Sequence, residues 1–169
     1  MNIINGFPEK GLSKALLAEM LPAFMSKDAK WQEGKVFGFV YHPGEEGSGI
    51  MNRYFNSYLY DSTVNPSTFP SLIDFERDVI NMASDLMHGD KEVSGSLTTG
   101  GTESIFLALK AAKDYALEKK GALTAFEVIL PETIHPAFLK ACHILSLKAR
   151  LLKVRGDKRA DPELIQRSI

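Results

Sequence analysis

Between residues 95 and 113 the chain reads GSLTTGGTESIFLALKAAK. A run of small residues closes on two adjacent glycines, Gly100 and Gly101, and an amphipathic helical pattern opens at Thr102. Glycines let a backbone come close to an anion. The first amides of a helix lack intrahelical partners and point outward. A hydroxyl at the helix start can cap the helix or bind the anion itself. Together these make the local design of a phosphate cradle, set between an extended lead-in and a departing helix. On spacing alone the same turn also serves as a plain strand-to-helix connection. No Lys-Ser or Lys-Thr follows Gly101, so it is not a Walker loop, and it is not the GxGxxG dinucleotide fingerprint. Glu103 would repel a dianion unless its side chain points away, and reads as a first-turn acid favoured by the helix dipole.

The pattern on either side predicts the remaining elements. Residues 11 to 28 carry an apolar stripe interrupted by Pro22, and Ile50 to Tyr60 is expected to be helical. Between them, turns at the glycines and at His42-Pro43 flank the apolar run Val36 to Tyr41, with Tyr41 read as a half-buried strand tyrosine. A connector from 61 to 70 leads into a helix opening at Ser71, with Asp74 as its capping partner and Gly89 as its stop. A strand over Val93–Thr98 then precedes a helix from Thr102 to Lys120 that stops at Gly121. A strand over Phe126–Leu130 ends at Pro131, and a helix runs from Pro136 to about Leu147. A strand over Ala149–Val154 precedes a last helix opened by Asp161 and Pro162. Strand and helix in alternation predict an α/β domain with a parallel sheet and helices on both faces. Ligands of such sheets lie beyond the C-terminal strand ends, where the loops 99–102 and 131–135 fall and could face one ligand.

Composition narrows the function classes. The 169 residues carry a formal net charge of -1 and are 44% hydrophobic, ordinary for one globular domain and without a basic footprint for nucleic acid. Lys119 and Lys120 adjoin Glu118 and read as a solvated helix end. The single cysteine, Cys142, falls in a helical apolar pattern and reads as a small buried hydrophobe. No apolar run has the length of a membrane span and the N-terminus lacks a secretory pattern, so a cytoplasmic location is the default expectation and no membrane association is indicated. The four histidines lack a metal-ligand spacing, so no metal is expected. Of these, His135 stands at a strand end beside the candidate anion site, where a flat imidazole could stack on an aromatic ligand; Asn65, before Pro66, reads as a turn residue.

Four segments together carry a resemblance. TTGGTESIFLALKAAKD resembles the phosphate-binding segment of the group II decarboxylase family of pyridoxal 5′-phosphate (PLP) enzymes, particularly the sphingosine-1-phosphate lyase branch with its T-S-G-G-T-E-S-I motif. WQEGKVFGFVYHPG, NPSTFPSLIDFERDVINM and PETIHPAFLKACHIL resemble further segments of that branch in the same order. The resemblance implies the aspartate-aminotransferase-like large domain (fold type I), incomplete in this chain. It divides the chain into an N-terminal helical and loop segment, 1–60, contributing to the active-site entrance and a homodimer interface, and the first part of the PLP-binding domain, 61–169. It implies that Gly101 and Thr102 hold the cofactor phosphate, that Thr99 and Gly100 shape the turn, that His135 stacks on the pyridine ring, and that Tyr41 lies near the substrate entrance. Ser62 and Asn65 would lie near substrate, although the branch often has Asn and His at these positions.

The implied activity is carbon–carbon cleavage of a phosphorylated amino alcohol to an aldehyde and phosphoethanolamine. Decarboxylation of an amino acid, or a truncated chain without catalysis, are the alternatives left open. The Schiff-base lysine and the aspartate paired with the pyridine nitrogen are expected beyond Ile169, because Lys110, Lys113 and Lys140 ride helix faces. The chain is therefore read as the N-terminal part of a longer enzyme.

Overall fold

The computed structural model describes residue 7 and residues 10–65, 67–121 and 125–169. Pro66 and residues 122–124 lie outside the described residues, as does most of the N-terminal decapeptide. The chain divides into two compact units, Met1–Asp61 and Ser62–Ile169.

The first unit holds two helices. In α1 (Lys14–Met25) the Ser13 hydroxyl oxygen accepts from the Leu16 amide at 3.2 Å, so a serine N-cap starts the helix one residue before its first lysine. The helix continues through Pro22, which forfeits only the hydrogen bond to the Ala18 carbonyl. A single 3-10 turn at Trp31–Glu33 follows, closed by Gly34 in the left-handed conformation. The Trp31 and His42 rings meet at 5.0 Å across the next loop. The apolar run from Val36 to Tyr41 forms no strand; Phe37, Phe39 and Tyr41 stand exposed, and the reading of Tyr41 as a half-buried strand residue is corrected. α2 (Gly44–Ser57) starts earlier than its apolar pattern, because Glu45 and Glu46 suit the positive first turn of a helix.

The second unit opens with α3 (Pro70–Leu86). Proline starts it, and Asp74 is not its cap: that carboxylate pairs with Arg77 one turn on, at 3.0 Å. α4 (Gly101–Lys120) runs from the double glycine to Gly121, which takes φ 74° and ends it. β1 (Glu127–Pro131), α5 (Pro136–Ile144) and β2 (Lys148–Leu152) form a β-α-β unit, with the strands parallel and Glu127 in register with Lys148. Glu127, the one charge in the apolar run, sits at the strand start and bridges Lys148 at 2.9 Å and Arg150 at 3.5 Å. α6 (Pro162–Gln166) has the expected Asp161 cap, whose Oδ1 accepts from the amides of Glu163 and Leu164.

Two helix ends depart from expectation for one reason. α3 and α5 finish in Schellman turns, with His88 and Ser146 in the left-handed conformation instead of glycine. The Gly89 amide returns to the Ser84 carbonyl and the Leu147 amide to the Cys142 carbonyl, each at 2.8 Å. Lys113 then caps α5, donating to the Leu145 carbonyl at 2.7 Å. The expected strand over Val93–Thr98 is not formed: among the described residues only β1 and β2 pair, and the Leu97 amide donates to the Glu76 carboxylate at 2.8 Å.

The core gathers where α5 meets the sheet. Leu130 from β1, Ala137, Ala141 and Cys142 from α5, and Leu147 before β2 are buried, with Leu109 of α4, Phe126 and Phe138 packed around them. Cys142 is 2% exposed, and burial pushes its thiol above the usual range, as expected of a small apolar filler. Truncation of Leu130 to alanine should destabilise the fold by about 2–5 kcal/mol, read as a lowered midpoint of chemical unfolding with little change in slope.

Candidate cofactor-phosphate site

Helix α4 begins at a residue whose backbone only glycine adopts easily. Gly100 is its N-cap, at φ 157° and ψ 174°. The Gly100 carbonyl accepts from the Ser104 amide and the Thr98 hydroxyl, each at 3.1 Å, while Thr98 and Ser104 share a hydroxyl hydrogen bond of 2.7 Å. With glycine at the N-cap and no side chain capping the helix, the amides of Gly101, Thr102 and Glu103 donate to nothing among the described residues, and neither does the Thr102 hydroxyl. Apart from its chain neighbours and the helix's own backbone, a Cβ built on Gly100 or Gly101 would meet no atom of the described residues within 4 Å. The turn thus presents three amides, one hydroxyl and bare backbone, the donor set that suits a phosphate.

Glu103 does not oppose this arrangement. Its Oε2 accepts from the amide and from the hydroxyl of Thr99, both at 2.7 Å. Those two bonds, the hydroxyl first, hold the carboxyl below its usual range. Thr99 therefore shapes the turn, with both donors already committed. Beside the turn lies a cavity of about 320 Å³, with Thr99, Thr102 and Glu103 on one wall and Ala137, Lys140 and Ala141 of α5 on the other. Its sequence context marks Lys140 only as a helix-face residue, and the fold sets it beside the turn. Lys110 pairs with Asp114, and Lys113 serves the end of α5.

His135 closes the loop after β1. It is the N-cap of α5, and its Nδ1 accepts from the Ala137 amide at 3.1 Å, which leaves the ring hydrogen on Nε2. The loop is held from below. The Glu132 amide donates to the Leu152 carbonyl at 2.8 Å, and the Glu132 carboxylate accepts from Lys153 at 2.8 Å and from the Val154 amide at 3.4 Å. His135 does not line the cavity beside the glycine turn.

The expected substrate residues stand elsewhere. The Ser62 hydroxyl oxygen accepts from the Val64 amide at 3.3 Å. Asn65 Oδ1 accepts from the Ser67 amide and hydroxyl, the turn that its sequence context predicts. Tyr41 belongs to the first unit. Among the described residues no group of three or more His, Cys, Asp and Glu converges as a metal cage, and no helix is long and apolar enough to cross a membrane.

No family model matches the chain. Individual proteins do. Over 166 residues it is 31% identical to sphingosine-1-phosphate lyase 1 of Mus musculus, a match covering 98% of this chain and 29% of that protein. The chain superimposes on the solved sphingosine-1-phosphate lyase of Burkholderia pseudomallei with a TM-score of 0.87 at 25% identity, over 99% of this chain and 40% of that one. The chain belongs to the group II decarboxylase family of PLP enzymes, on its sphingosine-1-phosphate lyase branch. Its fold is fold type I, with part of the large domain contained in these residues. A probable L-aspartate decarboxylase of Pyrococcus abyssi is 30% identical over 164 residues, covering 96% of this chain and 40% of that protein. The chain thus spans under half the length of each protein it matches here.

The acid side of the pH scale should loosen the second unit. Glu103, Glu127, Glu132 and Asp161 are all held below the usual carboxylate range by hydrogen bonds and neighbouring cations. A lowered folded-state value confers stability that is complete above the ordinary range, about 4, and is lost as pH falls through the folded-state values. The thermal midpoint should therefore drop between pH 5 and 3, on the scale of those reference values, and drop less steeply in Glu132→Gln.

Proposed function

We propose that the polypeptide to which this chain belongs is a PLP-dependent carbon–carbon lyase that cleaves a phosphorylated amino alcohol to an aldehyde and phosphoethanolamine, and that this chain supplies the cofactor's phosphate and ring-stacking sites. The observation that carries the reading is the turn at Gly100, where three consecutive amides and the Thr102 hydroxyl stand free while the nearest carboxylate is bonded away from them. A phosphate dianion fits that donor set, because charge-assisted bonds to pre-aimed amides need no rearrangement of the chain. When bound, PLP supplies the electron sink for breaking a bond at or beside the substrate Cα.

The chain's own residues would bind and orient. Gly101 and Thr102 would grip the phosphate. The ring of His135, fixed by its bond to the Ala137 amide, would offer a flat face to the pyridine and keep Nε2–H as its outward donor. Tyr41, Ser62 and Asn65 would meet substrate, in a cytoplasmic homodimer. Which bond breaks depends on which one is held perpendicular to the ring. The likeness to a probable aspartate decarboxylase favours loss of carbon dioxide as the second reading. The full-length polypeptide, incubated with a phosphorylated long-chain base, should release aldehyde and no carbon dioxide; carbon dioxide from an amino acid with no aldehyde would select the second reading.

Gly101→Ala tests the phosphate assignment itself. The chain leaves room for the added methyl and the position is helical, so the apoprotein should fold with unchanged or slightly higher stability. Affinity for PLP should nevertheless fall, by an amount equivalent to about 1–3 kcal/mol for a disturbed charge-assisted contact, measured by equilibrium titration. Unchanged affinity would remove the assignment.

A further inference from the structure

A carboxylate one turn from a phosphate site invites a simple expectation, that its charge weakens anion binding. The geometry points the other way. Oε2 of Glu103 binds both donors of Thr99 at 2.7 Å. Beside them, Thr98 and Ser104 bind each other and hold the Gly100 carbonyl. Gly100, with its unusual backbone, is thus braced by two sets of bonds, yet beyond its chain neighbours no atom of the described residues fills the space a side chain would take there.

We propose that Glu103 is a positioning residue of the phosphate site: by clamping Thr99 it fixes the path of the chain into Gly100, so that the amides of Gly101, Thr102 and Glu103 are aimed before the anion arrives. The inference rests on the cofactor-phosphate reading above and adds a residue that acts through the turn and not on the ligand. Glycine makes the turn possible, but its freedom also lets the unbraced turn wander. Preorganised donors gain affinity because the cost of ordering them is met during folding. The carboxylate is drawn to the residue preceding Gly100, so the clamp also decides where the negative charge stands.

The sign of one substitution separates the two expectations. The full-length apoprotein is titrated with PLP and with pyridoxal, which lacks the phosphate, and the ratio of the two affinities isolates the phosphate term. Glu103→Gln removes the charge and keeps the shape. The clamp predicts a ratio lowered about tenfold, the scale of one charge-assisted hydrogen bond. Thr99→Ser, which keeps both donors, should retain the ratio; Thr99→Val should lower it; and the pair Thr99→Val with Glu103→Gln should fall no further than Glu103→Gln alone, because the two residues act as a unit.

A ratio unchanged or raised in Glu103→Gln overturns the proposal. Should that variant not fold, a wild-type ratio in Thr99→Val overturns it equally. If the wild-type protein itself fails to prefer the phosphorylated compound, the cofactor-phosphate reading has failed, and the proposal with it.

Discussion

An acid in the first turn of a helix can answer to the helix dipole, to a passing cation, or to the peptide that precedes the helix. In α4 it answers to the last of these, and much follows. Because Glu103 takes the amide and hydroxyl of Thr99, the residue before the glycines has no spare donor. Because Gly100 stands at the N-cap and has no side chain to cap with, the next three amides have no acceptor among the described residues. The helix therefore begins with its positive end uncovered, at a place where bare backbone leaves space. The free donors of this turn are a by-product of how Thr98, Thr99, Glu103 and Ser104 satisfy one another.

The β-α-β unit gives that turn something firm to stand on. Small residues on α5, Ala137, Ala141 and Cys142, face the interior and let the helix lie close to β1 and β2. The same helix packs on α4. The strand-end loop is pinned by Glu132 to the far end of β2, so both loops of interest are fixed by the elements that hold the core. Precision at a binding site generally requires such a rigid support.

Legibility in the sequence followed the side chains that act locally. The double glycine, Gly121, the Asp161-Pro162 start and the parallel strands were readable because each signal works within a few residues. The ends of α3 and α5 were not, since His88 and Ser146 adopt a left-handed conformation for which neither residue type is a signal. Asp74 is not a cap because the helix starts earlier than its pattern suggests, at Pro70 after Phe69, which leaves the carboxylate inside the helix and paired with Arg77. Val93–Thr98 has a strand's composition, but a ladder needs a partner, and Glu76 takes the Leu97 amide instead. In the turn, Thr99 to Thr102 are marked out by their glycines. The bonds of Glu103 to Thr99 and the place of Lys140 on the cavity wall depend on which groups the fold brings near them, which spacing does not reveal.

One nitrogen of His135 is committed to the fold. Its Nδ1 lone pair is the acceptor that seats the first turn of α5. Rotating the imidazole, or placing a second hydrogen on it, would unseat that turn and disturb the helix whose next residues fill the interior. The ring therefore behaves as masonry on its Nδ1 edge, and the pitch of its plane is inherited from the helix behind it.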